Sequence, residues 1–323
     1  MSLLLPEILH TQSGQIRQVG VELELTGLSL SQLTRAITDT LGGTVRPVSA
    51  YEIEIVGGPF GTFRAELDFD YLKRLARAQA EQQPGDLEQV ATDMLGELAH
   101  QLAPLEVISP PLPLNELEPL ERLFTRLRQM GAKGTRHALH YAFGLHLNPE
   151  LPDLSAETLL RYFKAYLCLH DWLDSREAFA PARKISPFIR GFGKDYCRQV
   201  LALGYWPDLA RFTDDYLADN ASRNRAMDLL PILAWHDEQK VRRAVRDGKV
   251  GRRPTLHYRL PNSDIDNSAW SLRHAWEGWL QVESLANDSA RLDQVCRHYL
   301  VHLDNLTPDF IAPWKTKVVQ WLR

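Results

Sequence analysis

Several short segments of this chain alternate, residue by residue, between apolar and ionisable side chains, and that pattern limits the fold more than any other feature. In residues 16–26, Val21, Leu23 and Leu25 alternate with Glu22 and Glu24. Later segments carry Glu52/Glu54, Arg64/Glu66/Asp68, Glu106, His146/Asn148 and His257/Arg259 in the same manner. A β-strand sends successive side chains to opposite faces, so each pair shares one side of its strand, about 7 Å apart. Strands with one apolar and one polar face belong to antiparallel sheets covered on one side. The expected fold is α+β: a curved antiparallel sheet with helices on one face, followed by a mainly helical C-terminal portion. Charges on a solvated sheet face have no special meaning, and Glu52/Glu54 are the pair most readily read that way.

Periodicity places the remaining elements. A helix spans 29–41, with Leu30, Leu33, Ile37 and Leu41 on one stripe and Gly42-Gly43 as its stop. Strands at 51–56 and 63–70 flank a Gly-rich hairpin loop. Helices at 71–82 and 87–101 follow, then a strand at 105–108 ended by Ser109-Pro110-Pro111, a helix at 114–130 and a strand at 141–147. Beyond that the pattern is helical at 156–172, 209–217, 225–235, 270–285 and 292–303, with one strand at 255–260. Asn148-Pro149 breaks the chain, and all 8 Trp lie at or after Trp172. We therefore divide the chain into 1–150, the first part of the sheet, and 151–323, a mainly helical part that contributes a final strand near 254–260.

Composition narrows the function. The net charge of −4 is too mild to imply a nucleic-acid or membrane partner, although residues 183–259 hold 16 Lys+Arg against 9 Asp+Glu. That basic stretch suggests a surface facing an anionic ligand. Three dispersed Cys form no disulfide or zinc framework; with no signal peptide or spanning segment, a cytoplasmic location is expected. No His-Glu-x-x-His is present, which leaves His137 and His140 as loop residues, and no Gly-x-Ser-x-Gly elbow occurs. Gly191-x-Gly193 lacks the third glycine of a dinucleotide loop. The Cys residues and the Trp270/Trp276/Trp279 group are read as core, and Asp39, Asp214 and Asp215 as surface acids. Packed carboxylates with a few imidazoles repel one another and require protons, guanidinium groups or divalent cations. Such a donor set suits Mg²⁺ or Mn²⁺ better than Zn²⁺.

Three motifs occur in order: Val19-Gly20-Val21-Glu22-Leu23-Glu24, Leu105-Glu106-Val107-Ile108-Ser109-Pro110-Pro111-Leu112 and Phe143-Gly144-Leu145-His146-Leu147-Asn148. Together they resemble the amidoligase family of the glutamine synthetase and glutamate–cysteine ligase superfamily. That family has a G-x-E-x-E strand, an E-x-x-S-P-P strand, a G-L-H strand and a late E-x-R strand. The resemblance covers residues 16–148 and 253–259. It implies an ATP-dependent carboxylate–amine ligase that works through an acyl phosphate with two divalent ions. It implies that Glu22 and Glu24 hold the metals, with Glu24 also essential to turnover, that Glu106 is a further ligand and that His146 binds the second ion. An acid on the preceding strand completes the first site; Asp68 is the leading candidate and Glu66 the second. Asn148 falls near the phosphates, Arg259 faces the transferred phosphoryl group, and Arg253, Arg190 and Arg64 are candidates for phosphate or substrate contact. His257 replaces the usual Glu ligand, which removes one negative charge and favours a softer ion.

The implied partners are a small-molecule or peptide carboxylate and an amine donor; the oligomeric state stays open. Two other readings remain. One is a member of the same fold that binds nucleotide and metal without turnover, motivated by His257. The other is a metal-dependent nuclease, with the acidic face for metals and the basic stretch for a phosphate backbone.

Overall fold

The computed structural model describes residues 3–67, 104–135, 143–177, 190–245, 250–304 and 313–323. Its strands are β1 (Gln18–Leu25), β2 (Thr44–Pro47), β3 (Glu52–Gly58), β4 (Gly61–Leu67), β5 (Leu105–Ile108), β6 (Leu112–Pro113), β7 (Leu145–Pro149), β8 (Met227–Asp228) and β9 (His257–Tyr258). They form one open antiparallel sheet in the order β2-β3-β4-β5-β1-β7-β9-β8, with β6 paired to the start of β1. The helices are α1 (Leu30–Leu41), α2 (Glu118–Gln129), α3 (Ala156–Arg176), α4 (Lys194–Leu201), α5 (Leu209–Asn220), α6 (Leu230–His236), α7 (Glu238–Ala244), α8 (Leu272–Ala286), α9 (Ser289–Asp304) and α10 (Trp314–Lys317). The protein is α+β, as the alternation requires. Among the described residues no helix is long and apolar enough to cross a membrane.

β1 lies at the centre because it has partners on both sides and a clean period of two. Val19, Val21, Leu23 and Leu25 are buried against the helices. The same face continues through Phe63 and Ala65 of β4, Leu105 and Val107 of β5, and Leu145 and Leu147 of β7. Leu33 and Ile37 of α1 and Leu120, Leu123 and Leu127 of α2 cover one part of it, while Trp276 and Trp279 of α8 and Tyr162 and Tyr166 of α3 cover another. Tyr258 of β9 packs between Tyr166 and Trp279, with ring centroids 6.0 and 5.5 Å away. Because Tyr258 faces the helices, its neighbours His257 and Arg259 must face the other side.

Local chemistry sets the boundaries. Ser29 caps α1 in a reciprocal box with Gln32. The helix stops at Gly42-Gly43, both at positive φ; a Cβ on Gly43 would lie 2.8 Å from Ile55 Cγ2. At the end of β5, Ser109 accepts the Val21 N–H on its hydroxyl at 2.8 Å and donates its own N–H to the Val21 carbonyl at 2.8 Å. Pro110 has no N–H with which to continue the ladder, so the side chain of Ser109 supplies the last rung.

Residues 225–235 are not one helix. Met227 and Asp228 pair with β9, and α6 begins only at Leu230, with Pro231 in its first turn. The proline restricts the residue before it and suits a first-turn position, so it starts a helix rather than continuing one. Likewise the helix expected from Leu114 starts at Glu118, beside Pro119. β9 is shorter than expected; Thr255 adds an isolated bridge to Glu150. The helices expected at 71–82 and 87–101 lie outside the described residues.

One buried ion pair ties the start of β1 to the helical layer. Arg17, fully buried, donates to both carboxylate oxygens of Glu283 on α8, at 2.8 and 2.7 Å, and to the carbonyls of Ile8 and Glu150. Trp279 Nε1 donates to Glu283 at 2.7 Å. Removing one partner strands the other charge in the core. Glu283→Ala should lower the unfolding free energy by about 3–5 kcal/mol in urea titrations, and Arg17→Met combined with Glu283→Leu should cost less than the single change. A single variant within about 1 kcal/mol of wild type would show that the pair is not holding β1.

Candidate metal centre

Strand register decides which polar residues meet. On the polar face, Glu22 lies opposite His146 of β7, and Glu24 lies opposite Glu106 of β5. Glu106 in turn opposes Glu66 of β4, and Glu66 opposes Glu52 of β3. Four carboxylates thus stand in one row across adjacent strands, a spacing at which like charges repel. Arg64 Nη1 lies 3.5 Å from Glu52 and 4.0 Å from Glu66, which relieves the outer pair.

The inner residues form two overlapping groups. One oxygen or nitrogen each from Glu22, His146 and His257 lie within 4.8 Å of one another, and so do those of Glu24, Glu106 and His146. His146 belongs to both. The Glu22 and Glu24 side chains are each 12 % exposed; His146 and His257 are buried.

Hydrogen bonds fix the orientation of these rings. Glu22 accepts from His146 Nδ1 at 3.1 Å, Asn148 Nδ2 at 2.9 Å and Arg253 Nη1 at 3.1 Å. Burial opposes its charge, but the hydrogen bond from His146 and the Arg253 guanidinium hold its carboxyl well below the usual range. Since a carboxylate can only accept, Asn148 must turn its NH₂ toward Glu22 and its carbonyl toward His257, whose Nδ1 lies 2.7 Å away. His257 therefore carries its proton on Nδ1. Burial pushes its pKa well below the ordinary histidine value, against the pull of Glu22, so Nε2 keeps a lone pair. His146 donates from Nδ1 to Glu22, which in the neutral ring leaves Nε2 bare, 3.8 Å from Glu24 Oε1 and too far for a hydrogen bond. Bare imidazole nitrogens beside opposed carboxylates are the donor set a divalent cation satisfies, so both groups fit a hard or borderline ion. Glu24 is anchored at its other oxygen by the Gly144 N–H at 2.7 Å.

Of the residues singled out from the sequence, Glu22, Glu24, Glu106, His146, Asn148, Arg253, His257 and Arg259 converge here. Arg259 is buried; burial lowers its pKa while Asp228, Glu24 and Glu22 favour its charge. Arg64 lies two strands from Glu22, separated by Ile108. Arg190 is exposed, and its backbone bonds to Asn224 and Ala226. Asp68, His137 and His140 lie outside the described residues; Glu66, the alternative to Asp68, is directly opposite Glu106. Glu54 is paired with Arg46 at the sheet margin. Much of the basic stretch is met locally: Arg198 by Asp195 and Asp304, Lys240 by Asp214, Arg242 and Arg252 by Glu238.

Asp228 was missed. It is buried on β8 opposite His257, and burial pushes its pKa up against the pull of Arg259. The signal was Pro231, which excludes a helix running through Asp228. Each imidazole offers one bare nitrogen and so can serve one ion. Manganese titration followed by electron paramagnetic resonance should count two bound ions in the wild type and one in either His146→Ala or His257→Ala. Two ions retained by either variant would remove that imidazole from the ligand set.

A family model described as "Putative amidoligase enzyme" matches residues 15–281, a span that includes every strand of the sheet and both ligand groups. No curated protein and no solved structure matches the chain. With most of its length matched, the chain belongs to the amidoligase family and is a ligase-type enzyme.

Proposed function

We propose that this protein is an ATP-dependent ligase that joins a carboxylate to an amine through an acyl phosphate, with two divalent ions at the paired ligand groups. The observation that carries the reading is the pair of three-residue clusters joined at His146. Amide formation from a carboxylate in water is uphill, and phosphorylation by ATP activates the carboxyl carbon. The obstacle is bringing an anionic carboxylate against an anionic γ-phosphate. Divalent ions, when bound, supply positive charge that offsets this repulsion.

Glu24, Glu106 and His146 Nε2 would hold one ion, and Glu22 with His257 Nε2 the other. With two imidazoles among five ligands, Mn²⁺ fits at least as well as Mg²⁺. Asn148 acts as a positioning residue, since it sets the His257 tautomer. Arg259, on the same face as His257, would stabilise negative charge on the transferred oxygens. Arg253, with a side chain 40 % exposed and its guanidinium on Glu22, stands at the mouth, where an incoming phosphate could reach it. Ligands on rigid strands keep these groups in place without the slack of a loop.

Hydroxylamine, a small general amine, can trap an acyl phosphate as a hydroxamate. Wild-type protein with ATP, Mn²⁺ and a panel of carboxylates should release phosphate and form a hydroxamate with at least one of them. Glu24→Gln should lower kcat by about 100-fold or more with an unchanged circular dichroism spectrum; near-wild-type turnover would remove Glu24 from the chemistry. Arg259→Lys keeps the charge but loses the two-pronged guanidinium, so kcat should fall by about 10- to 100-fold with little change in the KM for ATP. An effect confined to KM would make Arg259 a ground-state binder.

A further inference from the structure

Arg253 touches two of the candidate metal ligands from a position open to solvent. Its Nη1 donates to Glu22 Oε1 at 3.1 Å, and its Nη2 lies 3.4 Å from His257 Nδ1. Its side chain is nevertheless 40 % exposed. The guanidinium thus supplies part of the positive charge that a divalent ion at Glu22 and His257 would bring.

Little holds the guanidinium there. His257 directs its Nδ1 proton at Asn148, so the approach of Nη2 to Nδ1 sets two N–H groups against each other and is not a hydrogen bond. Arg253 Nε is buried and has no partner among the described residues. Most N–H donors of this guanidinium are therefore unused by the described residues, and the bond to Glu22 is its main anchor. The backbone, by contrast, is pinned. The Arg253 N–H donates to the Pro231 carbonyl at 3.1 Å, and Thr255 bridges Glu150. Freedom is confined to the side chain, which has many rotamers to use.

The same carboxylate serves two possible cations. Burial disfavours the charge of Glu22, and Arg253 is among the groups that keep it ionised. A divalent ion on Glu22 would do so more strongly, but two cations on one carboxylate repel each other. Whatever removes the guanidinium favours the ion, and linkage makes that effect reciprocal. A phosphate oxygen suits a guanidinium with unused donors, and the exposed side of Arg253 is where one can arrive. Arg259 is unsuited to this exchange: it is buried, with Asp228 favouring its charge.

We propose that Arg253 is a displaceable counter-ion, which keeps the Glu22–His257 group weak for divalent cations until a phosphate group draws it away. The phosphate-bearing ligand and the second ion then bind cooperatively, and that ion is taken up tightly only beside a phosphate. This rests on the two-ion reading of the site; it does not depend on the acyl-phosphate chemistry.

Manganese titration of the full chain without nucleotide, followed by electron paramagnetic resonance, reads the affinity of each ion. The wild type should show one tight and one weak ion. Arg253→Gln removes the charge and should tighten the weaker ion about tenfold or more. Arg253→Lys keeps the charge and should leave that ion weak. In a His257→Ala background, where one ion remains, Arg253→Gln should have little effect. Sulfate, a dianion of phosphate shape, should tighten the weaker ion of the wild type at constant ionic strength, but not that of Arg253→Gln. Two ions whose affinities are unchanged in Arg253→Gln, or are tightened equally by lysine and glutamine, would overturn the proposal and leave the two-ion reading standing. So would a sulfate effect that is absent from the wild type or equal in both proteins. At most one ion bound by the wild type and both variants at millimolar Mn²⁺ would end the two-ion reading, and the proposal with it.

Discussion

The structure depends on the parity of β1. Along Gln18–Leu25 every second side chain enters the apolar core, and the alternate set faces the polar side of the sheet. A shift of one residue in pairing would bury Glu22 and Glu24 among leucines and expose Val21 and Leu23. Several unrelated contacts hold the register: the Ser109 hydroxyl on Val21, the Arg17–Glu283 pair before the strand begins, and the Glu150 carboxylate on the Gln18 N–H at 2.8 Å. Each acts at a different point along β1, so the strand cannot slide without breaking all of them.

That register then creates an electrostatic problem, which the polar face solves in graded steps. At the margin, Arg46 and Arg64 neutralise Glu54 and Glu52 in partly exposed pairs of small energetic weight. Nearer the centre, Glu22 is kept ionised by three donors, and His257 is kept neutral by burial. Glu24 and Glu106 face each other beside a bare imidazole nitrogen, an arrangement suited to a cation rather than to a further hydrogen bond. Arg259 and Asp228, both buried, balance one another behind His257. The charge pattern runs from solvated to desolvated across the sheet, with its densest point where β5, β1, β7 and β9 adjoin.

Much of this was legible in the amino-acid order. The alternation in β1, β4, β5 and β7, the helical stripe of α1 and the Gly42-Gly43 stop follow from strand pleating, helix periodicity and the conformational freedom of glycine, all of which act within a few residues. Short elements were not legible. β2 is exposed along its whole length and so lacks an apolar period. β6 and β8 have two residues each, too few for any period to show. The 225–235 segment was misread because its apolar residues suit a helix face, while the strand pairing of Met227 and Asp228 depends on β9, which is about thirty residues further on.

The sequence alone determined which residues can share a strand face and which helices have a face to bury, because both follow from fixed periods of the backbone. It therefore determined an α+β sheet protein with acids and imidazoles on the polar side of its sheet. Tertiary structure alone decided that Glu22 meets His146 and Arg253, that Asn148 orients His257, and that His146 stands between two carboxylate groups. These contacts join residues up to 231 positions apart, and their order across the sheet is set by packing on the opposite face, which no local pattern records.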